Sequence, residues 1–190
     1  SDLIKESFMT IINERNITKL FHVFDHHQNG VLTHSDYEEI VKAIAKELGL
    51  EKSSRSYKVI QAAYMLDWVT LVEHAKKRIE DSISCEEWLA YHRDVLQAEA
   101  GFEVAVRSIT NSLLLILDAD GDGFVSLSEF QKLYTIHKLP MEEANIAFDL
   151  LDKNGNGLLS RDEISQAWAD FFCSQDPNAA GHWLLGDPNT

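Results

Sequence analysis

Two stretches of twelve residues place oxygen-bearing side chains at matching positions, and their first residues, Asp118 and Asp152, lie 34 positions apart. Calcium is a hard cation that takes six to eight oxygen ligands at about 2.3–2.6 Å. A loop of this length supplies them from positions 1, 3 and 5, the carbonyl of position 7, position 9 and a bidentate carboxylate at position 12. Those positions are Asp118, Asp120, Asp122, Phe124, Ser126 and Glu129 in the first stretch and Asp152, Asn154, Asn156, Leu158, Ser160 and Glu163 in the second. The spacing predicts two divalent-cation sites.

This repeat is typical of the EF-hand, a calcium-binding loop between two helices. Gly123 and Gly157 stand at position 6, where the loop turns sharply and a side chain would clash. The alternative is a pair of ordinary turns rich in Asp, Asn and Gly, which would not reproduce the whole pattern twice. The first loop offers four ligand carboxylates, and the second offers two carboxylates and two amides. We expect both to fill at micromolar calcium or below, in an order that ligand charge alone does not decide.

A third loop with the same skeleton spans residues 25–36. Its oxygens would come from Asp25, Asn29, the Val31 carbonyl, Thr33 and Asp36, with Gly30 at position 6. Position 3 is His27, a poor ligand for a hard cation. Asp36 is shorter than the usual Glu, and a monodentate carboxylate at position 12 would relatively favour Mg²⁺. Two interpretations stay open: a loop that binds Ca²⁺ or Mg²⁺, and a structural loop that is empty.

A fourth copy, residues 76–87, is recognisable mainly by its end, where Ile83 stands at position 8 and Glu87 at position 12. Lys76 and Arg78 occupy positions 1 and 3, which require carboxylates, and the glycine of position 6 is missing. We therefore expect this loop to exclude calcium and to pair structurally with loop 25–36. Lys76 is expected to supply the positive charge that calcium would have brought.

Apolar residues recur at helical spacing on both sides of the loops, so each loop is predicted to join two helices. In the first half the predicted helices span 3–24, 35–48 and about 57–75, and Pro140 opens the helix before the last loop. We expect an all-α fold, a compact array of four EF-hand helix–loop–helix units in two pairs. The second unit is degenerate.

The two pairs divide the chain into residues 1–97 and 98–190. A chain of 190 residues makes either one large domain or two small lobes. No flexible linker occurs near residues 92–103, and proline is scarce, which argues against independent lobes.

The composition limits which binding partners and which cellular compartment we expect. The net charge is −14 and the isoelectric point is about 4.9, which makes nucleic-acid binding improbable. Cys85 and Cys173 do not form a disulfide framework or a metal motif, so we expect a reducing, cytoplasmic setting. No apolar run reaches the length of a transmembrane helix, so we expect neither a membrane span nor a signal peptide.

Four EF-hand units in about this length, with a degenerate second unit, resemble the family of sarcoplasmic calcium-binding proteins. That family is related to calexcitin, to the calcium-regulated photoproteins and to the coelenterazine-binding protein. The segment from Trp168 to Gly186 is similar to the closing segment of calexcitin and the photoproteins. The resemblance implies a single compact body whose C-terminal tail packs back on the core, with calcium buffering or signalling as its role.

The sequence departs from the photoprotein pattern at three positions. Trp168, Trp183 and Ile17 stand where the resemblance would place His, Tyr and His, the polar groups that hold a peroxidised luciferin. Light emission is therefore not expected.

Three functions are compatible with the sequence. The first is an intracellular calcium buffer or compact signal protein. The second is a sensor that exposes an apolar groove to a partner helix, which the presence of only three methionines disfavours. The third is a calcium-dependent carrier of a small apolar ligand, in a cavity lined by Trp68, Trp88, Trp168, Phe172 and Trp183. No catalytic motif is present, so we do not expect an enzyme.

Overall fold

The computed structural model describes residues 11–189, and the predicted all-α fold is confirmed. The helices of these residues are α1 (Glu14–Phe24), α2 (His34–Glu47), α3 (Arg55–His74), α4 (Cys85–Gln97), α5 (Gly101–Leu117), α6 (Leu127–Ile136), α7 (Met141–Leu151) and α8 (Arg161–Cys173). The strands are β1 (Val31–Leu32), β2 (Ile83–Ser84), β3 (Val125–Ser126) and β4 (Leu158–Leu159), and a 3₁₀ helix spans Ala180–Trp183.

Helix boundaries follow from the capping residues. The Asn13 side chain accepts a hydrogen bond from the Asn16 N–H at 3.1 Å and so starts α1 at Glu14. Residues 11–13 are therefore not helical, contrary to the predicted span 3–24, and residues 3–10 of that span lie outside the described residues. Helices α2 and α3 agree with the predicted spans within two residues.

Each exit helix begins with a capping box made by positions 9 and 12 of the preceding loop. In three of them a serine side chain at position 9 accepts from the backbone N–H of the glutamate at position 12, which accepts in return. Thr33 and Asp36 form the corresponding box in α2. The carboxylate predicted to bind the metal thus also starts the helix.

Short strands couple the loops in pairs. Strand β1 pairs with β2, which places Leu32 opposite Ile83, and β3 pairs with β4, which places Val125 opposite Leu159. All four residues stand at position 8 of their loops, as the sequence pattern predicts, and all four side chains are fully buried. The loops 25–36 and 76–87 therefore form one unit, and the loops 118–129 and 152–163 form another.

The apolar faces of the helices meet in one large core. Its buried residues come from all eight helices and from the tail, and a smaller cluster joins α2, α3 and α6. Helix α1 packs on α8, α2 on α6, and α4 on α5 across the break at residues 98–100. Contacts between the halves thus run along several helices. The division at residue 97 remains a prediction.

Two tryptophan N–H groups donate hydrogen bonds to backbone carbonyls outside their own helices. Trp88 Nε1 donates to the Ile17 carbonyl of α1 at 3.0 Å. Trp68 Nε1, on α3, donates to the Ile79 carbonyl in loop 76–87 at 3.1 Å.

The C-terminal tail, which follows α8 and contains the 3₁₀ helix Ala180–Trp183, packs against α7 and α8 and contacts α1. His182 Nδ1 lies 2.8 Å from Asn16 Nδ2, which also donates to the Phe171 carbonyl at 2.8 Å. Tyr134 Oη donates to the Trp183 carbonyl at 3.2 Å. The tail therefore joins α1 to α8.

Among the helices of residues 11–189, none is by itself long and apolar enough to span a bilayer, although the bent pair α4–α5, at 110°, meets the length and composition criteria jointly.

Candidate metal centres

Three helices deliver a carboxylate to the start of a loop. Asp25, Asp118 and Asp152 are the C-cap residues of α1, α5 and α7, and each backbone N–H still bonds the last turn of its helix at 2.9–3.0 Å. Position 1 of the loop is therefore fixed by the helix end.

The same three loops share their turn geometry. The position-1 carboxylate accepts the N–H of the position-6 glycine: Asp25 from Gly30 at 2.8 Å, Asp118 from Gly123 at 3.0 Å, and Asp152 from Gly157 at 2.7 Å. These glycines have φ values of +83°, +86° and +78°, a left-handed conformation that glycine adopts without strain. Position 4 is left-handed as well, at Gln28, Gly121 and Gly155.

Position 5 completes the turn. Its side-chain oxygen accepts the N–H of position 7: Asn29 from Val31 at 3.1 Å, Asp122 from Phe124 at 2.8 Å, and Asn156 from Leu158 at 2.9 Å. The backbone of loop 25–36 thus has the same conformation as loops 118–129 and 152–163, although its sequence matches the EF-hand pattern less well.

In loop 118–129 the structure brings Asp118, Asp120 and Glu129 together, with one oxygen of each within 4.8 Å of the others. Glu129 is largely buried, at 8% exposure. Burial raises its pKa, but hydrogen bonds from Ser126 and from the Ala119 N–H outweigh that effect and lower the pKa below its ordinary value. The group is therefore ionised at neutral pH. A cluster of carboxylate oxygens suits a hard divalent cation.

In loop 152–163, Glu163 is held in the same way. Its Oε2 accepts from the Ser160 N–H at 2.9 Å, and its Oε1 accepts from the Asn154 side-chain amide at 3.0 Å. Burial raises the pKa of Glu163, and the hydrogen bonds from Ser160 and from the backbone lower it by more. The loop therefore keeps an ionised carboxylate at position 12 beside two amide side chains at positions 3 and 5.

In loop 25–36, His27 holds the carboxylate of position 12. His27 Nδ1 lies 2.7 Å from Asp36 Oδ1, and Asp36 is fully buried. Burial raises the pKa of Asp36, but hydrogen bonds from Thr33 and His27 lower it further than burial raises it. An ion at this site would have to displace the His27 ring from Oδ1. That ring is 44% exposed, so it has room to move.

In loop 76–87 the cation is Lys77, and the prediction that Lys76 supplies the charge is wrong. Lys77 Nζ lies 2.7 Å from both Oε1 and Oε2 of Glu87 and donates to the Ser82 carbonyl at 2.8 Å. Lys76 is exposed and adopts a left-handed φ of +56°. The reason is that α3 ends one residue earlier relative to its loop than α1, α5 and α7 do, so its C-cap is Ala75 and not position 1.

Comparisons with known proteins agree with this geometry. The family model of the EF-hand domain pair matches residues 112–169. Calerythrin of Saccharopolyspora erythraea is 27% identical over 164 residues, which cover 85% of this chain and 93% of calerythrin. Sarcoplasmic calcium-binding proteins I, III and IV of Branchiostoma lanceolatum are 23% identical over 165 residues, which cover 85% of this chain and 89% of theirs.

Among solved structures, the coelenterazine-binding protein from Renilla muelleri, in its calcium-loaded apo form, is 25% identical, with a TM-score of 0.68. The superposition covers 92% of this chain and 94% of that one. The loop geometry and these similarities together identify an EF-hand pair at residues 112–169, in a chain that is similar over most of its length to calerythrin, to the sarcoplasmic calcium-binding proteins and to the coelenterazine-binding protein.

Proposed function

We propose that this protein is a calcium buffer or compact calcium signal protein that binds Ca²⁺ through loops 118–129 and 152–163 and a third divalent ion through loop 25–36. The observation that carries the proposal is the geometry that these loops share. Each combines a position-1 carboxylate at a helix end with a position-12 carboxylate of lowered pKa and left-handed residues at positions 4 and 6.

Calcium would take over oxygens that now accept N–H groups of the loop itself. Glu129 Oε1 accepts from the Ala119 N–H at 2.9 Å, and Glu163 Oε1 accepts from Asn154. The Oε2 atoms are held separately by the capping boxes of α6 and α8. An ion can therefore bind Oε1 without disturbing the caps, whereas bidentate binding would also share Oε2 with them.

Loop 25–36 would bind its ion more weakly. His27 contributes no oxygen at position 3, and Asp36 Oδ1 must first exchange the imidazole for the ion. With one fewer oxygen ligand and the shorter carboxylate, the site would favour Mg²⁺ relative to the other two loops.

A closed molecule fits a buffer better than a sensor that opens a groove. One core joins all eight helices and the tail, so exposing a groove would separate many buried contacts. A sensor that exposes an apolar groove to a partner helix is the alternative.

A carrier of a small apolar ligand is a further alternative, favoured by the similarity to the coelenterazine-binding protein. Against it, the aromatic residues contact one another: the Trp168 and Phe172 rings stack at 5.6 Å, and Trp88 packs on Phe21 at 6.2 Å. The pockets formed by residues 11–189 include two of about 520 and 480 Å³, and no tryptophan lines either of these two.

Calorimetric titration of the metal-free protein tests the number of sites. We expect three ions with magnesium absent. Asp25→Ala should remove one ion, and Glu129→Gln should weaken one of the two strong sites. An unchanged stoichiometry in Asp25→Ala would mean that loop 25–36 is structural and empty.

An apolar dye distinguishes the buffer from the sensor. Calcium is added to the metal-free protein at physiological magnesium while dye binding is followed. We expect dye binding to fall or stay constant as the sites fill. A clear rise would overturn the buffer proposal in favour of a groove, and release of a co-purified apolar compound would favour a carrier.

We further propose a cytoplasmic protein without catalytic activity. Cys85 and Cys173 are both free, as expected in a reducing compartment. The strongly acidic composition makes nucleic acid an improbable partner.

A further inference from the structure

We propose that the Lys77 ammonium is a permanent internal cation in loop 76–87, which takes the place of a metal ion there and positions loop 25–36 for ion binding. The first part concerns loop 76–87 alone. The second part rests on the proposed third ion site.

The contacts of Lys77 match those of a metal in an EF-hand loop. A bound calcium takes a carbonyl from position 7 and both oxygens of the carboxylate at position 12. Lys77 Nζ contacts the carbonyl of Ser82, which is position 7, at 2.8 Å. It lies 2.7 Å from each oxygen of Glu87, which is position 12. An ammonium has three N–H donors, and three acceptors are present.

The end of helix α3 explains why Lys77 reaches this place. The Lys76 N–H bonds the Glu73 carbonyl at 3.0 Å, and the Lys77 N–H bonds the Val72 carbonyl at 2.8 Å. With the left-handed φ of Lys76, these bonds form a Schellman motif. The motif fixes the backbone of Lys77 within the loop, whereas Lys76 occupies the turn itself.

The acidic residues at positions 5 and 6 of the loop, Glu80 and Asp81, already pair with Arg78. Arg78 donates to Asp81 at 3.0 Å and lies 3.1 Å from Glu80. A calcium ion would therefore have to displace Lys77 from Glu87 without gaining a further free carboxylate from positions 3 to 6. The loop is ordered by its own cation, whatever the calcium concentration.

A short path connects this cation to loop 25–36. Glu87 Oε2 accepts the N–H of Ser84 at 2.8 Å. Ser84 lies opposite Val31 in the β1–β2 pair. The Val31 carbonyl is the proposed position-7 ligand of loop 25–36. Lys77 is thus a positioning residue, which acts on the ion through Glu87 and the strand pair.

The first test uses the calcium-free protein and hydrogen exchange of backbone amides. Lys77→Met keeps the aliphatic chain and removes the charge, and Lys76→Met is the matched control. Exchange at Ser84 and its neighbours should be about tenfold faster in Lys77→Met, since hydrogen bonds to charged groups are the stronger ones. It should be unchanged in the control. Equal exchange in both variants would overturn the proposal.

A double-mutant cycle separates the pair from a general loss of stability. Glu87→Gln and the double variant Lys77→Met/Glu87→Gln are measured in the same way. If the ammonium and the carboxylate act together, the double variant exchanges little faster than either single variant. Rates that multiply would contradict the internal cation.

The second test measures ion binding to loop 25–36, in a Glu129→Gln/Glu163→Gln background that weakens the two stronger loops, 118–129 and 152–163. Adding Lys77→Met should weaken binding about three- to tenfold, adding Lys77→Arg should weaken it less, and adding Lys76→Met should not change it. An unchanged affinity in Lys77→Met would overturn the positioning role. If this background binds no ion, the third site of the proposed function fails, together with the positioning role, and the exchange experiment decides the internal cation alone.

Discussion

At the scale of single residues, the partner of the position-12 carboxylate distinguishes the four loops. One oxygen of that carboxylate caps the exit helix in every loop. The other accepts from the Ala119 backbone, the Asn154 amide or the His27 ring in three loops, and in loop 76–87 the Lys77 ammonium contacts both oxygens of Glu87. Neutral backbone and amide groups leave easily when an ion arrives. The His27 imidazole competes with an ion for Asp36. The Lys77 ammonium takes the place of an ion in loop 76–87.

Replacing the competing His27 imidazole should therefore strengthen ion binding by loop 25–36. We expect His27→Asp to raise its calcium affinity about tenfold, because an oxygen ligand at position 3 replaces a ring that occupies Asp36. Calorimetry in the Glu129→Gln/Glu163→Gln background measures the effect. A weaker or equal affinity would show that Asp36 does not reach an ion in this loop.

Another histidine links stability to pH. Burial against the Trp88 ring, at 4.2 Å, lowers the pKa of His92 to about 4, although its hydrogen bond to the Trp88 carbonyl opposes the shift. In the unfolded chain a histidine has a pKa of about 6.5. Between these values the unfolded chain binds more protons, so the free energy of unfolding falls as the pH drops through this window.

We expect His92→Gln to flatten that pH dependence, because glutamine keeps a polar group near the Trp88 carbonyl but does not titrate. Urea unfolding of the calcium-free protein from pH 7 to pH 4 measures it. Parallel curves for the two proteins would mean that His92 is not held neutral in the folded state.

At the scale of elements, the way a helix ends decides what the next loop can bind. Helices α1, α5 and α7 end on an aspartate that becomes position 1 of a proposed ion-binding loop. Helix α3 ends in a Schellman motif instead, which places a lysine inside the loop. Loops of the same length can thus hold either a metal ion or a lysine ammonium.

The left-handed conformation of Lys76 in the Schellman motif leads to a prediction about stability. A left-handed conformation strains any residue with a Cβ, and glycine is the usual occupant. We expect Lys76→Gly to raise the free energy of unfolding by up to about 1 kcal/mol, because the relief of strain exceeds the added entropy of the unfolded chain. Chemical denaturation of the calcium-free protein tests this. A loss of stability would mean that Lys76 makes a favourable contact.

The loops and their pairing were predictable from sequence, because ligand types, the position-6 glycine and the position-8 apolar residue recur at fixed offsets. The role of Lys77 was not predictable. Counting back from Glu87 assigns Lys76 to position 1, and only the end of α3 shows which of the two lysines reaches into the loop. The His27–Asp36 contact and the start of α1 at Glu14 also depend on local side-chain geometry. Sequence periodicity does not determine that geometry.

At the scale of the whole molecule, the tail connects elements that are far apart in sequence. Gly181 packs so closely on α8 that an added Cβ would lie 2.2 Å from the Ala167 carbonyl oxygen and 2.5 Å from Asp170 Cβ. His182 reaches Asn16 on the other side, and Lys19 donates to the Asp187 carbonyl. The tail therefore holds α1 and α8 together.

We expect Gly181→Ala to destabilise the protein by about 1–3 kcal/mol, the usual cost of overpacking, because backbone atoms of α8 cannot move aside. Asn178→Ala, at an exposed position of the same tail, is the control and should have little effect. Thermal unfolding of the calcium-free protein compares the two. Equal stability of both variants would show that the tail is only loosely attached.

The indole of Trp68 gives loop 76–87 an optical signal of its own. Its N–H donates to the Ile79 carbonyl within that loop, and its ring is fully buried. The emission maximum of this tryptophan should therefore report whether the loop is closed around Lys77. If the loop is ordered by its own ammonium, a protein that keeps only this tryptophan will emit at the same short wavelength in chelator and in calcium.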